Sequence, residues 1–300
     1  MPQKEITMQQ IGIYPVKDPT LSIRERIHIT KQIGFEYLCS GSIAQLTEPG
    51  PDGFLACAER EGLPVDNVHL TGKSTTAIWF PAPLGDEVVE RYQREMEIAI
   101  DHGVNMGVMH VTWGFSPAQY SEIGMERLRR LVDHSEKLGF TVCMENSAYP
   151  ELFHAAMKAF DSPHARFTFD TGHWNAFFDH DDLIFDRYGD RIAITHLADN
   201  DARRDLHLIP LDGCADFGKL AHALKHVDRL TFELSGIYCK PHKATRESAE
   251  KDIRRTHACE QGLTRVDDTN IYVYEGFTYE QYLERVMTNA KRLREMIEQA

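Results

Sequence analysis

Short apolar runs rich in β-branched and aromatic residues recur along the chain. Longer stretches separate them, and in these the apolar residues return every three or four positions. Four of the longer stretches end in a glycine that an apolar run follows at once: KQIGFEYLCS, EREGLPVDNVHL, DHGVNMGVMHV and EKLGFTVCMEN, with Gly34, Gly62, Gly103 and Gly139 at the junctions. Glycine just past a helix end takes the left-handed backbone that closes the last turn, so each junction reads as helix stop, then strand. In GDEVVERYQREMEIAIDHG, Val88, Tyr92 and Met96 lie on one helical face. GMERLRRLVDHSEKLG is a second amphipathic segment, and FTYEQYLERVMTNAKRLREMIEQA predicts a final helix. The apolar runs predict eight strands: Ile11–Pro15, Phe35–Ser40, Asn67–Thr71, Met106–Thr112, Thr141–Glu145, Arg166–Asp170, Ile192–His196 and Leu230–Glu233. Runs without alternation fit strands covered on both faces, as in a parallel sheet. Eight strand–helix alternations with right-handed crossovers predict an α/β fold, a (β/α)8 TIM barrel, as one domain over residues 1–300. A doubly wound open sheet is the competing arrangement, but no GxGxxG turn follows the first strand.

One segment breaks the rhythm. From Gly236 to Gly276, after the eighth strand, the chain is long, polar and mixed. Lys240 to Arg265 carries seven Lys/Arg against four Asp/Glu, and ATRESAEKDIRRTHA reads as a short helix within it. Lying after the last strand, it would emerge on the active-site face of a barrel. A connection of this length predicts a lid or a contact between subunits, the latter implying a homo-oligomer.

Composition narrows the functional class. Hydrophobic residues make up 42% and charged residues 26% of the 300 residues, ordinary for a globular protein with a substantial core. No window approaches about eighteen unbroken apolar residues, and MPQKEITMQQ has no apolar signal-peptide core, so no membrane association is expected. Six scattered cysteines (Cys39, Cys57, Cys143, Cys214, Cys239 and Cys259) without a CxxC pair suggest reduced thiols and a cytoplasmic location. A formal charge of −13 disfavours nonspecific nucleic-acid binding.

The candidate chemistry lies at the strand ends. Strand three ends at His69, strand four at His110, strand five at Glu145, strand six at Asp170 with His173 three residues on, strand seven at His196 and strand eight at Glu233. Asp205 and His207 follow in DLHLIP. Singly, each has an ordinary explanation as a hydrogen-bonded core histidine or a helix cap. Together they converge, because barrel strands open their C-terminal ends onto one axial site. Several carboxylates buried together repel one another and pay for desolvation, so a cation is expected among them. Arg203 or Arg204 could bind a substrate oxygen or phosphate, and Trp113, Trp174 and Trp79, near strand ends, could pack against a substrate face.

Glu145 in CMEN, Asp170 and His173 in FDTGH, His196 in THLAD, Asp205, His207 and Pro210 in DLHLIP and Glu233 in FEL resemble the xylose-isomerase-like TIM-barrel superfamily. It joins sugar and sugar-phosphate isomerases and epimerases with apurinic endonucleases of the endonuclease IV type. The resemblance implies that Glu145, Asp170, His196 and Glu233 hold a divalent metal, and this set of three carboxylates and one imidazole is oxygen-rich, suiting Mn²⁺ best, with Mg²⁺, Co²⁺ or Zn²⁺ as alternatives. It also implies that Glu145 and Glu233 act as acid and base on opposite faces of the sugar, and that His173 contacts substrate oxygen. His69, His110, Asp205 and His207 would be substrate contacts in the epimerases, or would bind a zinc cluster in the nucleases. Where the family commonly has a P-G-x-G-type turn, this chain has PLDGCADF with the single Gly213. The expected activity is isomerisation or epimerisation of a sugar or sugar phosphate, by proton removal next to a carbonyl through a metal-bound enediolate. A lyase or dehydratase on a keto sugar or C-glycoside, using the same site, and an apurinic endonuclease are the alternatives. The expected partner is a small carbohydrate, not nucleic acid.

Overall fold

The computed structural model describes residues 8–113, 118–178, 181–237, 274 and 276–300. Eight parallel strands run β1 (Gln10–Ile13), β2 (Tyr37–Ser40), β3 (Val65–His69), β4 (Met106–His110), β5 (Thr141–Glu145), β6 (Ala165–Asp170), β7 (Ile192–His196) and β8 (Arg229–Phe232). Their order in the sheet is β7-β6-β5-β4-β3-β2-β1-β8. A parallel bridge between Leu197 and Phe232 joins the two outer strands, so the sheet curls into a nearly closed TIM barrel. All eight expected strands are present, with ends displaced by a few residues. The third runs from Val65 to His69 rather than reaching Thr71, because after Leu70, whose N–H still donates to the Val108 carbonyl oxygen, the chain turns away toward the short helix Thr75–Trp79.

The helices follow the amphipathic pattern: α1 (Ile23–Ile33), α2 (Ile43–Leu46), α3 (Phe54–Glu61), α4 (Pro83–Asp101), α5 (Glu122–Leu138), α6 (Pro150–Ala159), α7 (Thr171–Phe177), α8 (Leu183–Tyr188) and α9 (Phe217–Leu224), then a C-terminal helix Tyr279–Gln299. Ser22 caps α1 through a reciprocal capping box with Glu25, and Gly34 closes it at φ +103°, where a side chain would be strained. Thr278 and Gln281 form the same box at the C-terminal helix. Val88, Tyr92 and Met96 of α4 are buried as the spacing implied.

Arg127 of α5 is unexpectedly part of the interior, 2% exposed. It donates to the carbonyl oxygens of Ile78, Phe80 and Ala82 and pairs with Asp86. Those acceptors substitute for lost hydration, so the charge is tolerated. The barrel interior itself is filled below the site by small clusters such as Tyr14, Tyr37 and Cys39. Among the described residues no helix is long and apolar enough to cross a membrane. Among the described residues Cys39, Cys57 and Cys143 are free and buried. The expected helix and the lid or subunit contact in 236–276 fall almost wholly outside the described residues.

Candidate metal centre

Strand register builds the site. His110 pairs with Glu145 across β4 and β5, and Asp170 with His196 across β6 and β7, so neighbouring strands deliver ligand types at the same height. Glu233 arrives one residue past β8. The bridge after β7 brings it level with His196, whose Nδ1 lies 3.0 Å from Glu233 Oε2 and 2.8 Å from Glu145 Oε1. Asp170 Oδ2 stands 3.9 Å from the same nitrogen. Glu145, Asp170, His196 and Glu233 each place one ligand atom within 4.8 Å of all the others.

Asp170 does two things at once. Its Oδ1 accepts from the backbone N–H of His173 and caps α7, while its Oδ2 is buried without a hydrogen-bond partner. Helix capping and ligation therefore do not compete for this carboxylate. Asn146, directly after Glu145, holds the strand end in place: it donates to the Asp170 carbonyl oxygen and accepts from the Asp170 N–H.

A second group shares Glu145. His69, His110 and Glu145 likewise bring one ligand atom each within 4.8 Å of one another. His110 Nε2 is 2.5 Å from Glu145 Oε2, yet that oxygen has no hydrogen bond of acceptable geometry. A third group lies beside it: Asp205 Oδ2 is 3.2 Å from His173 Nε2 and 3.0 Å from His207 Nε2. His173 Nδ1, buried and without a hydrogen bond, faces Glu145 at 3.6 Å. Unsatisfied buried atoms are costly in a protein interior. Here the carboxylate oxygens of Glu145 and Asp170 face the same small volume as imidazole nitrogens, a donor set that fits a divalent cation.

Electrostatics follow from the packing. Burial and the neighbouring Glu145 and Asp205 push Asp170 up to about 6, although His173 opposes this. Burial also raises Glu145, but His110 and His196 outweigh it and hold the carboxyl well below its usual range. Glu233 is desolvated too, yet His196 brings it down to about 2. Burial and His110 lower His69 to about 4, leaving the neutral imidazole a ligand requires.

Trp113 stands at the mouth, 47% exposed and stacked on His110 at 5.0 Å between ring centres. A Cβ at Gly72 would lie 2.3 Å from its ring, so glycine there lets the indole lie flat. Its backbone is clamped by Thr76, whose hydroxyl accepts from the Trp113 N–H and donates to its carbonyl oxygen. Trp79 and Trp174, also candidates for a sugar face, are buried, and each indole N–H donates to a backbone carbonyl, of Val111 and Asp181. They are core, with both rings turned into the interior. Arg204 pairs with Asp201, and Arg203 is exposed on the same loop, outside the ligand cluster.

The loop carrying Asp205 and His207 is organised by a residue that strand-end reasoning passed over. Asp199 is buried, and its carboxylate accepts from the N–H groups of Asn200, Leu211, Gly213 and Ala215. That scaffold holds Ala202, His207 and Leu211 at positive φ. Tyr14, Asn67 and Asn146 were likewise passed over. Their polar side chains at or near strand ends were visible, but their partners lie far away in sequence.

The family model for the xylose isomerase-like TIM barrel matches residues 27–256, more than half the chain, and the protein belongs to that family. An uncharacterised protein, y4fM of Sinorhizobium fredii, is 23% identical over 238 residues, covering 67% of this chain and 76% of that protein. Among solved structures, D-allulose 3-epimerase from Methylomonas sp. superposes with a TM-score of 0.65 at 14% identity, covering 95% of this chain and 98% of its own. A 3-keto-D-glucoside 4-epimerase from E. coli gives 0.60 at 18% identity over 82% of this chain and 100% of its own. At these identities the likeness is one of fold.

Proposed function

We propose that the protein is a divalent-metal-dependent isomerase or epimerase of a small sugar or sugar phosphate. The observation that carries this reading is the convergence of Glu145, Asp170, His196 and Glu233 on one axial point, in a fold shared with sugar epimerases. A cation held by these four, Mn²⁺ by preference, would supply positive charge beside a carbonyl and its neighbouring hydroxyl and so stabilise an enediolate.

The chain's own groups do the rest. Glu233, 23% exposed at its side chain, faces the mouth and removes the proton next to the carbonyl. Glu145, across the barrel, returns a proton to the far face, with His110 beside its Oε2 as proton partner. Trp113 offers its exposed ring to the apolar face of the sugar. His69, His173, Asp205 and His207 bind hydroxyls, and Arg203, exposed on the loop that carries Asp205 and His207, meets an anionic end of the substrate. The test is a panel of keto sugars and their phosphates in D₂O with added Mn²⁺. Solvent deuterium appearing next to the carbonyl supports the reading, and its absence across the panel refutes it. Net elimination instead of an epimer would assign the lyase or dehydratase chemistry.

One observation favours a second reading. Glu145 is shared by two ligand groups, and Asp205 is flanked by His173 and His207. This is the pattern that the resemblance associates with a zinc cluster and apurinic-site cleavage. A carboxylate with both oxygens engaged by metals would be a poor proton carrier. Metal analysis separates the readings: one ion per chain supports the isomerase, two or three support the cluster. Salt-sensitive incision of an abasic duplex would establish the nuclease.

A further inference from the structure

We infer that Tyr14 is a positioning residue that fixes which nitrogen of His196 faces the metal, through a hydrogen-bond chain rising from the floor of the barrel. This rests on the metal site proposed above. His196 presents Nδ1 to Glu145 and Glu233, so Nδ1 is its ligand atom. Its other nitrogen, Nε2, lies 3.1 Å from the Tyr14 hydroxyl, and both side chains are buried. The rings meet edge to face at 5.3 Å and 87°.

The direction of that hydrogen bond follows from what lies below it. The Tyr14 hydroxyl is 2.6 Å from Asn67 Oδ1, a carbonyl oxygen that can only accept. The orientation of the Asn67 amide is set in turn. Its Nδ2 lies 3.0 Å from Asp66 Oδ2 and 3.2 Å from Cys39 Sγ, and a carboxylate oxygen there requires the NH₂ end. Asp66 is anchored by Arg229. With its single proton given to Asn67, the Tyr14 oxygen is left to accept from His196 Nε2–H. A neutral imidazole protonated at Nε2 has its lone pair at Nδ1, directed into the carboxylate cluster. A metal-bound histidine is generally held this way by an acceptor on its far nitrogen. Here the acceptor is a phenol whose polarity Asn67 dictates. No residue of the chain Arg229–Asp66–Asn67–Tyr14 is itself in the ligand set.

Tyr14→Phe keeps the ring and removes only the acceptor. Mn²⁺ affinity is read by EPR titration of free ion, and the Co²⁺-loaded protein is read by its visible d–d bands. The expected result is Mn²⁺ binding weakened about 10- to 100-fold together with displaced Co²⁺ bands, in protein whose circular dichroism matches wild type. Asn67→Leu provides a second approach. Without its acceptor, the Tyr14 hydroxyl is free to donate to Nε2, which favours the tautomer protonated at Nδ1. Mn²⁺ binding should again weaken with displaced bands, although Tyr14 is intact. Mn²⁺ affinity of Tyr14→Phe within about threefold of wild type would overturn the inference, as would weaker binding with unchanged Co²⁺ bands, since simple loosening would cause that. Failure of the wild-type protein to bind either ion would remove the metal-site reading, and this inference with it.

Discussion

Asp170 serves as both helix cap and candidate ligand, and one substitution separates the roles. Asparagine is as good a cap as aspartate, so Asp170→Asn retains an acceptor for the His173 N–H while removing the negative charge at Oδ2. We expect thermal stability of the metal-free protein to change little, and Mn²⁺ binding measured by equilibrium dialysis to fall at least tenfold. Full metal content in this variant would exclude Asp170 from the site. Glu145 and Glu233 are tested by Glu→Gln changes. Each should suppress solvent-deuterium incorporation into the substrate by about 10²-fold or more. Glu145→Gln should also weaken metal binding more, because Glu145 borders two ligand groups and Glu233 borders one. Wild-type exchange in both variants would remove them from the mechanism.

At the scale of elements, the loop between β7 and α9 decides whether Asp205 and His207 reach the site. Four backbone N–H groups converge on the Asp199 carboxylate, and each buried donor left unpaired costs about 1–3 kcal/mol. Asp199→Ala should therefore destabilise the protein by about 3 kcal/mol or more in urea unfolding. Gly213→Ala should act in the same direction, because its Cβ would lie 2.4 Å from Asp199 Oδ1 and 2.5 Å from the Asn200 carbonyl oxygen. A near-neutral result for both would show that the loop is held by other means.

The contact between α4 and α5 carries a pH dependence of definite sign. Hydrogen bonds from Arg127 and Arg130 hold Asp86 down to about 2. A carboxyl depressed on folding contributes stability that is fully present above about pH 4, its unfolded pKa, and is lost as pH falls through about 2. Asp86→Asn should be less stable than wild type at pH 7, and the gap should narrow progressively below pH 4. A gap independent of pH would mean that the ion pair contributes nothing beyond shape.

For the whole molecule, the seam between β7 and β8 carries the fewest backbone pairings in the described sheet. One parallel bridge spans it, supported by the Thr195 hydroxyl, which accepts from the Thr231 N–H and donates to the Arg229 carbonyl oxygen, whereas β1 pairs with β8 over four residues. His196 and Glu233 stand on either side of that seam, so an ion bound by both would link the two strands. Ligand binding to the folded state alone adds about 2.7 kcal/mol at a hundredfold excess over Kd. Saturating Mn²⁺ should raise Tm by several degrees, and chelation should reverse the rise. The same addition to Asp170→Asn should have little effect. An unchanged wild-type Tm would mean that no ion binds preferentially to the folded barrel.

What the sequence determined alone was periodicity and position. Apolar runs located all eight strands because burial on both faces leaves no polar alternation. The ligand types were legible because parallel strands must end on one face, so His69, His110, Glu145, Asp170, His196 and Glu233 could be gathered by topology without coordinates. What only the tertiary structure decided were facts of distance and direction. The burial of Trp79 and Trp174, and the exposure of Trp113, depend on which way each ring turns from a similar place in the chain. The sharing of Glu145 between two groups depends on the orientation of one carboxylate. The roles of Asp199 and Tyr14 come from partners that the chain brings together over long separations: Tyr14 and His196 are 182 positions apart. Local composition carries no trace of such pairs, because hydrogen bonding is set by geometry within about 3 Å, and folding alone supplies it.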